Sequence, residues 1–225
     1  AKQALQTSGV QVSVVRDFEK IPEIAKQMGK PYLSPLLDPQ RNDFTQESCF
    51  WLIGEKGGDP TIIGGVRIDS MGIDSGNAIK NQINRAYGSR TIKEISRDTS
   101  SAISGRVVYF GDLYSATRAG ISNRRHFVAI AHYFAASVFK ADCTYSFIRR
   151  ADILRGSADT NGFYSRLSNP VVWGEIPDHR SDTEQIAYRN RRDNDAYFNA
   201  IRQELAGNKP QLAAPQTDPQ PPSIA

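Results

Sequence analysis

Arg106-Val-Val-Tyr-Phe-Gly-Asp-Leu-Tyr-Ser-Ala116, then Thr117-Arg-Ala-Gly-Ile-Ser-Asn-Arg-Arg125, then the run His126 to Lys140, then Cys143-Thr-Tyr-Ser-Phe-Ile-Arg-Arg150 form the stretch that decides the fold. Val107 to Tyr114 is rich in β-branched and aromatic residues, lacks proline and has turn residues at both ends, which predicts a strand. Apolar residues on both of its faces make that strand central. Phe127, Ile130, Ala131, Phe134 and Val138 fall at i, i+3, i+4, i+7 and i+11, one stripe at the helical period, so a helix follows. Ser122 or Asn123 just ahead of it is placed to cap its free N–H groups. A second strand begins at Cys143. The first-turn N–H groups of such a helix have no carbonyl partners, and its dipole adds about 0.3–1 kcal/mol of attraction for an anion. Gly120 lets the backbone come close to that anion, so strand, turn and helix together predict a phosphate-holding turn.

Outward from this stretch, the 225 residues suit one α/β domain with appendages, and 39% hydrophobic residues supply an ordinary core. No apolar run approaches the ~20 residues of a bilayer span and no signal-peptide pattern opens the chain, so the expectation is a soluble, cytoplasmic protein. Cys49 and Cys143 both lie in apolar, strand-like contexts and read as buried thiols. The net charge of +4 comes mainly from arginine, with Arg118, Arg124, Arg125, Arg149, Arg150 and Arg155 around the organising stretch. That density suits phosphates or an acidic partner.

Along the chain, residues 1 to 10 are polar and expected to be flexible. Gln11 to Arg16 predicts a strand and Asp17 to Met28 a helix, whose start falls later than Asp17 if it is regular, since Pro22 belongs in a first turn; Gly29 and Pro31 are its stop. Tyr32 to Glu47 is loop-rich. Cys49 to Gly54 and Thr61 to Asp69 predict an antiparallel hairpin with a longer loop, and Gly64 with Gly65 predict a bulge or a close approach. Residues 70 to 104 form an insertion in which Ile79, Ile83 and Ala86 share one helical face. Ala151 to Leu167 is helical but broken at Gly156 and Gly162, and Val171 to Ile176 predicts another strand. Ser181-Asp-Thr-Glu184 has the form of a capping box opening a last helix, carried on by Ile186, Tyr197, Ile201 and Leu205 to Gly207. The domain therefore spans 11 to 206, and residues 207 to 225, rich in proline and glutamine, are expected to be disordered.

The order strand, phosphate turn, helix, strand and Tyr-bearing segment resembles the core of the GNAT-type N-acyltransferase superfamily over residues 10 to 176. That family's turn has Gln or Arg, two residues, Gly, one residue, then Gly or Ala. Here it is Thr117-Arg-Ala-Gly120-Ile-Ser122, with Thr117 departing from the pattern and Arg118 beside it supplying a donor. The family's Asn and Tyr-x-x-Leu segment resembles Asn161-Gly-Phe-Tyr164-Ser-Arg-Leu167, with a shortened Asn to Tyr spacing. The insertion also resembles in its layout the acyl-homoserine-lactone synthases and long-chain N-acyl amino acid synthases.

The resemblance implies a mixed α/β (α+β) central sheet flanked by helices. It implies acyl-coenzyme A as donor, or acyl carrier protein in the synthase-like branch, and a small-molecule amine as acceptor attacked without a covalent acyl-enzyme. It places the donor on Leu113, Ser115, Arg118, Gly120, Ile121, Ser122, Asn123 and Arg124, and makes Tyr164 the acid that protonates the leaving thiolate. Asp112 or Glu175 would be the base.

His126 and His132 are six apart, so they face different ways on one helix, and His179 lies in a loop; no metal is expected. A second class stays open, a non-catalytic nucleic-acid binder with the arginines on phosphates and Tyr109, Tyr114, Phe127 or Tyr133 as stacking faces.

Overall fold

A computed structural model describes residues 1–72, 75–88, 91–116 and 120–207. The chain runs α1 (Lys2–Thr7), β1 (Val10–Val15), α2 (Ile21–Gln27), β2 (Cys49–Lys56), β3 (Asp59–Gly72), α3 (Ser75–Tyr87), β4 (Ile92–Ile95) and α4 (Arg97–Ala102). It continues with β5 (Gly105–Ser115), α5 (Ile121–Ser137), β6 (Cys143–Arg149), α6 (Arg150–Leu154), α7 (Ser157–Thr160), β7 (Ser165–Leu167), β8 (Val171–Trp173), β9 (Glu184–Asn190) and α8 (Asn194–Leu205). Seven strands make one sheet in the order β1-β2-β3-β5-β6-β9-β7. Among the described residues only β5 and β6 run parallel in it, joined by α5, and every other neighbouring pair is antiparallel.

Because side chains alternate along a strand, the central strands feed two cores. Phe50, Leu52, Val66, Val108 and Phe110 pack on one face with Leu5 of α1 and Phe127 and Ala131 of α5. Cys49, Trp51, Ile53, Val107 and Tyr109 pack on the other with Ile21 of α2 and Ile79 and Ile83 of α3. The expected mixed sheet flanked by helices is what forms, with a central β5 buried on both faces. Gly64 and Gly65 allow the close approach expected of them: a Cβ at Gly64 would lie 3.0 Å from Phe110, and one at Gly65 2.9 Å from Leu37.

Several elements differ from expectation, each for a local reason. The first residues are not loose: they form α1, and Leu5 is wholly buried against α5. The β2–β3 hairpin closes on two residues, Gly57 (φ 63°) and Gly58 (φ 86°), so Glu55 and Pro60 pair within the ladder rather than in a longer loop. This is the left-handed pair of residues that a tight hairpin favours. Helix α5 starts at Ile121, five residues before His126, with Gly120 rather than Ser122 or Asn123 at the cap. Val138 is exposed beyond its end, and Phe139 is buried instead.

The segment Val171 to Ile176 yields only the short β8, which pairs with β4 of the insertion in a separate two-stranded sheet. The Ser181 box opens no helix. Ser181 Oγ accepts from Thr183 N at 3.1 Å, Glu184 begins β9, and a capping box operates later, at Asn190 and Asp193. Residues 208–225 of the expected tail lie outside the described residues. No helix among the described residues is long and apolar enough to cross a membrane.

Candidate active site

Strands β5 and β6 pair only through Val107, Val108 and Tyr109 with Cys143, Thr144 and Tyr145, although β5 runs on to Ser115 and β6 to Arg149. Each remains held on its outer side. Tyr114 and Ser115 still pair with β3, and Phe147 to Arg149 with β9. The sheet therefore opens along its one parallel seam, and the inner edges carry main-chain N–H and C=O groups without a partner strand. A cleft of about 500 Å³ occupies the opening.

A β-bulge shapes its β5 wall. Gly65 pairs with Gly111 and Ile63 with Tyr114, so Asp112 and Leu113 stand opposite the single residue Gly64, and Asp112 takes φ 54°. Such a bulge turns the following peptide units and re-aims a side chain. Gly111 is required beside it, since a Cβ there would lie 2.5 Å from the Tyr109 hydroxyl. The re-aimed Asp112 carboxylate takes Lys30 Nζ at 2.7 Å and the Ser34 N–H at 3.0 Å on each oxygen. Burial pushes its pKa above the ordinary carboxylate range, against the pull of Lys30 and Ser34.

The start of α5 follows the same wall. Gly120 (φ 78°, ψ 150°), which has no side chain of its own to offer, caps the helix, and its first turn has no acidic residue. The resulting field favours an anion. Arg124 lines the cleft and donates to Asn161 Oδ1 at 3.4 Å, while its Nε is buried without a hydrogen-bond partner among the described residues. Asp152, Ser157, Asn161 and Phe163, from α6, α7 and the turn after them, complete this end. Gly156 (φ 80°) separates those two short helices, where the sequence breaks its helical pattern.

The opposite wall is made of side chains from distant segments. Tyr32 stacks on His179 with ring centroids 4.1 Å apart. Ser34 Oγ lies 3.4 Å from the Tyr87 hydroxyl, to which Arg180 Nε donates at 2.8 Å. Arg180 also meets Glu184 at 3.1 Å, and its guanidinium sits over the rings of Tyr87 and Phe147. Burial works against the charge on Arg180, but Glu184, Tyr109 and Tyr87 outweigh it, so the group stays cationic.

Of the expected site residues, Asp112, Leu113 and Arg124 line the cleft. Ser115 ends β5, and Gly120, Ile121, Ser122 and Asn123 form the cap and first residues of α5. Arg118 lies outside the described residues. The structure does not bring Tyr164 or Glu175 to the cleft wall. Tyr164 is half-exposed and packs its edge on Tyr197, and Glu175 is exposed beyond the end of β8.

Lys30, Ser34, Tyr87 and Arg180 carry no sequence signal, because each is a single polar residue in a loop or at a helix end. No group of three or more metal-ligating side chains occurs among the described residues. Cys49 and Cys143 are free and buried, as expected, with thiols pushed up by burial to about 12. Among the stacking faces suggested for nucleic acid, Tyr109 and Phe127 are buried in the two cores and Tyr133 is exposed on α5.

No family model and no curated protein matches the chain. Among solved structures it is similar to a spermidine/spermine N-acetyltransferase from Vibrio cholerae in complex with manganese ions. They are 11% identical, with a TM-score of 0.47, and the match covers 85% of this chain and 96% of that one. It is also similar to an aminoglycoside acetyltransferase in complex with coenzyme A, at 12% identity and TM-score 0.44, over 86% and 99% of the two chains. An N-acetyltransferase from Staphylococcus aureus gives 8% identity and TM-score 0.47, over 80% and 97%.

Proposed function

We propose that this chain is an N-acyltransferase that moves an acyl group from acyl-coenzyme A, or from acyl carrier protein, to an amine by direct attack. The observation that carries the reading is the parting of β5 from β6 beyond Tyr109 and Tyr145, with the Asp112 bulge on one edge and the start of α5 at its end. The pantetheine arm of a thioester is an extended chain with two amides, and unpaired strand edges offer it main-chain hydrogen bonds. Its pyrophosphate falls to the first turn of α5, with Arg124 beside it.

In this reading the N–H groups of β5 after the bulge that point away from β3, between Leu113 and Ser115, polarise the thioester carbonyl. The amine nitrogen attacks the carbonyl carbon, the C–S bond breaks as the C–N bond forms, and the proton lost by nitrogen ends on sulfur, giving amide and free thiol. Asp112, the one expected proton carrier that faces the cleft, accepts the proton of an ammonium acceptor before attack, a task its raised pKa suits. Holding both reactants in one cleft supplies much of the acceleration.

The test is isothermal titration with acetyl-coenzyme A and with a long-chain acyl-coenzyme A, alongside a Gly120→Glu variant. Binding by the native chain and its loss in the variant support the reading, and the preferred chain length separates small-group from lipid-type transfer. If neither thioester binds, the coenzyme A form fails and acyl carrier protein is titrated next.

A further inference from the structure

Helix α5 has two apolar sides. Phe127, Ala131 and Ala135 face the sheet core, whereas Ala129, Tyr133 and Ala136 turn toward α8 and line a groove of about 780 Å³ between the two helices. Its other wall is Phe198, Ile201 and Leu205 of α8, apolar at i, i+3 and i+7. No residue of this groove lines the cleft between β5 and β6. Tyr133 (59% exposed) and Leu205 (38% exposed) leave apolar surface in solvent that the fold itself does not cover.

The groove has two distinguishable ends. Arg125 meets Glu204 at 3.1 Å and the rings of Tyr133 and Phe198 meet with centroids 6.0 Å apart, so α5 and α8 run antiparallel. Beside Ile201 and Leu205, one end is lined by Arg202 and by Lys2, whose neighbour Ala1 packs on Ala129 and Ile201. Both cations are exposed, and neither has a carboxylate within ion-pair distance among the described residues; Arg202 donates only to Asn199 Oδ1, at 3.0 Å. At the other end Arg191 has Asp142 at 3.6 Å and Asp195 lies beside it, so charge is balanced there. Asn194 to Leu205 covers about 16 Å of helix axis.

A cationic end, an apolar run and a balanced end are the complement of a single chain with one anionic head. Tyr133 and Phe198 bring the two walls into contact at mid-groove, so a partner helix, about 10–12 Å across, has no room to sink between them. A methylene chain can lie along the rings. We infer that this groove binds a long-chain fatty acid, with its carboxylate between Lys2 and Arg202 and its chain along Ile130, Tyr133, Phe134 and Phe198. The site is separate from the cleft and holds whether or not the chain transfers acyl groups.

Calorimetric titration with submicellar dodecanoate, octanoate and dodecyltrimethylammonium reads the chain and the head apart. Burial of four further methylenes in a half-open groove should make dodecanoate bind at least about tenfold tighter than octanoate. The ammonium, with the same chain and the opposite charge, should bind about tenfold more weakly than dodecanoate. Equal binding of dodecanoate and octanoate overturns the apolar run, equal binding of dodecanoate and the ammonium overturns the anionic head, and no binding of dodecanoate overturns the site.

Two variants place the ligand. Lys2→Glu with Arg202→Glu changes exposed side chains only and should reverse the preference between dodecanoate and the ammonium. Tyr133→Asp with Ala136→Asp sets carboxylates in the path of the chain and should remove dodecanoate binding, while circular dichroism and thermal unfolding report that the fold persists. Dodecanoate binding unchanged in both variants, or displacement of dodecanoate by coenzyme A, would put the acid elsewhere and refute the assignment. Sedimentation of the same proteins tests the competing occupant: a native dimer that the Tyr133→Asp, Ala136→Asp variant breaks would make the groove a contact between two copies and overturn the fatty acid.

Discussion

Along β5 and α5 the cleft is made of main chain: a strand edge, a bulge and the first turn of a helix, with glycine at positions 111 and 120. Across from them it is made of side chains, Lys30, Ser34, Tyr87 and Arg180, drawn from segments up to 150 residues apart in the sequence. A main-chain wall accepts any ligand of the right shape and places it by hydrogen bonds common to all residues. A side-chain wall selects by charge and ring contact, and it can be altered without moving the strands. The first arrangement suits an invariant cofactor and the second a chosen acceptor.

The largest expected effect breaks the side-chain wall. Lys30→Met leaves the Asp112 carboxylate, 3% exposed, without its cation, and should cost about 3–5 kcal/mol in urea unfolding. Adding Asp112→Asn should return most of that loss. If the double variant is no more stable than the single one, the packing of the lysine stem matters rather than the ion pair.

Gly111→Val attacks the main-chain wall. Its side chain meets the Tyr109 hydroxyl at 2.5 Å, so Tyr109 must leave its place, at about 1–3 kcal/mol by overpacking. Acyl-coenzyme A affinity should fall with stability here, whereas in Lys30→Met the donor affinity should outlast the loss of acceptor turnover. Parallel losses of donor and acceptor in both variants would erase the distinction between the walls.

Gly120→Ala is a gentler version. A Cβ there has no neighbour within 4 Å, so the cost is the backbone alone at φ 78°, ψ 150°, about 2 kcal/mol, read from the same unfolding curves. An alanine variant as stable as the native chain would mean that the helix start can relax.

The smallest effect lies behind α7. His132 is buried, its Nε2 lies 2.8 Å from the Asn161 carbonyl, and burial, aided by Arg189, holds its pKa well below 6.5. The unfolded chain takes up the proton first, so the contribution of neutral His132 is intact above pH 6.5 and is lost as pH falls below it. Between pH 7 and 5.5 that loss should be about 1 kcal/mol, seen as the difference in pH slope between the native chain and His132→Gln. Equal slopes would place the proton on the folded histidine as well.

The two walls also differ in how far the sequence reveals them. β5, α5 and β6 are local patterns: a β-branched run, a stripe at the helical period, a glycine between them. Their order is visible before any contact is known. The bulge at Asp112 leaves no local trace, because it arises from how β3 and β5 share residues across the ladder. The Ser181 box misleads because Ser181 and Thr183 make a local turn, and the buried residues Glu184, Ile186, Ala187 and Arg189 then belong to a strand. Arg180, in the polar run His179-Arg180-Ser181-Asp182, reads as a solvated loop residue. Only the fold reveals that Tyr87 and Phe147 enclose it.

The two thiols sit in the sheet, fully buried and protonated at neutral pH. Toward maleimides and iodoacetamides the folded chain is therefore nearly inert. A single cysteine introduced at exposed Ser122, in the first turn of α5, would be the one reactive handle, and a fluorophore placed there would report the arrival of a donor directly.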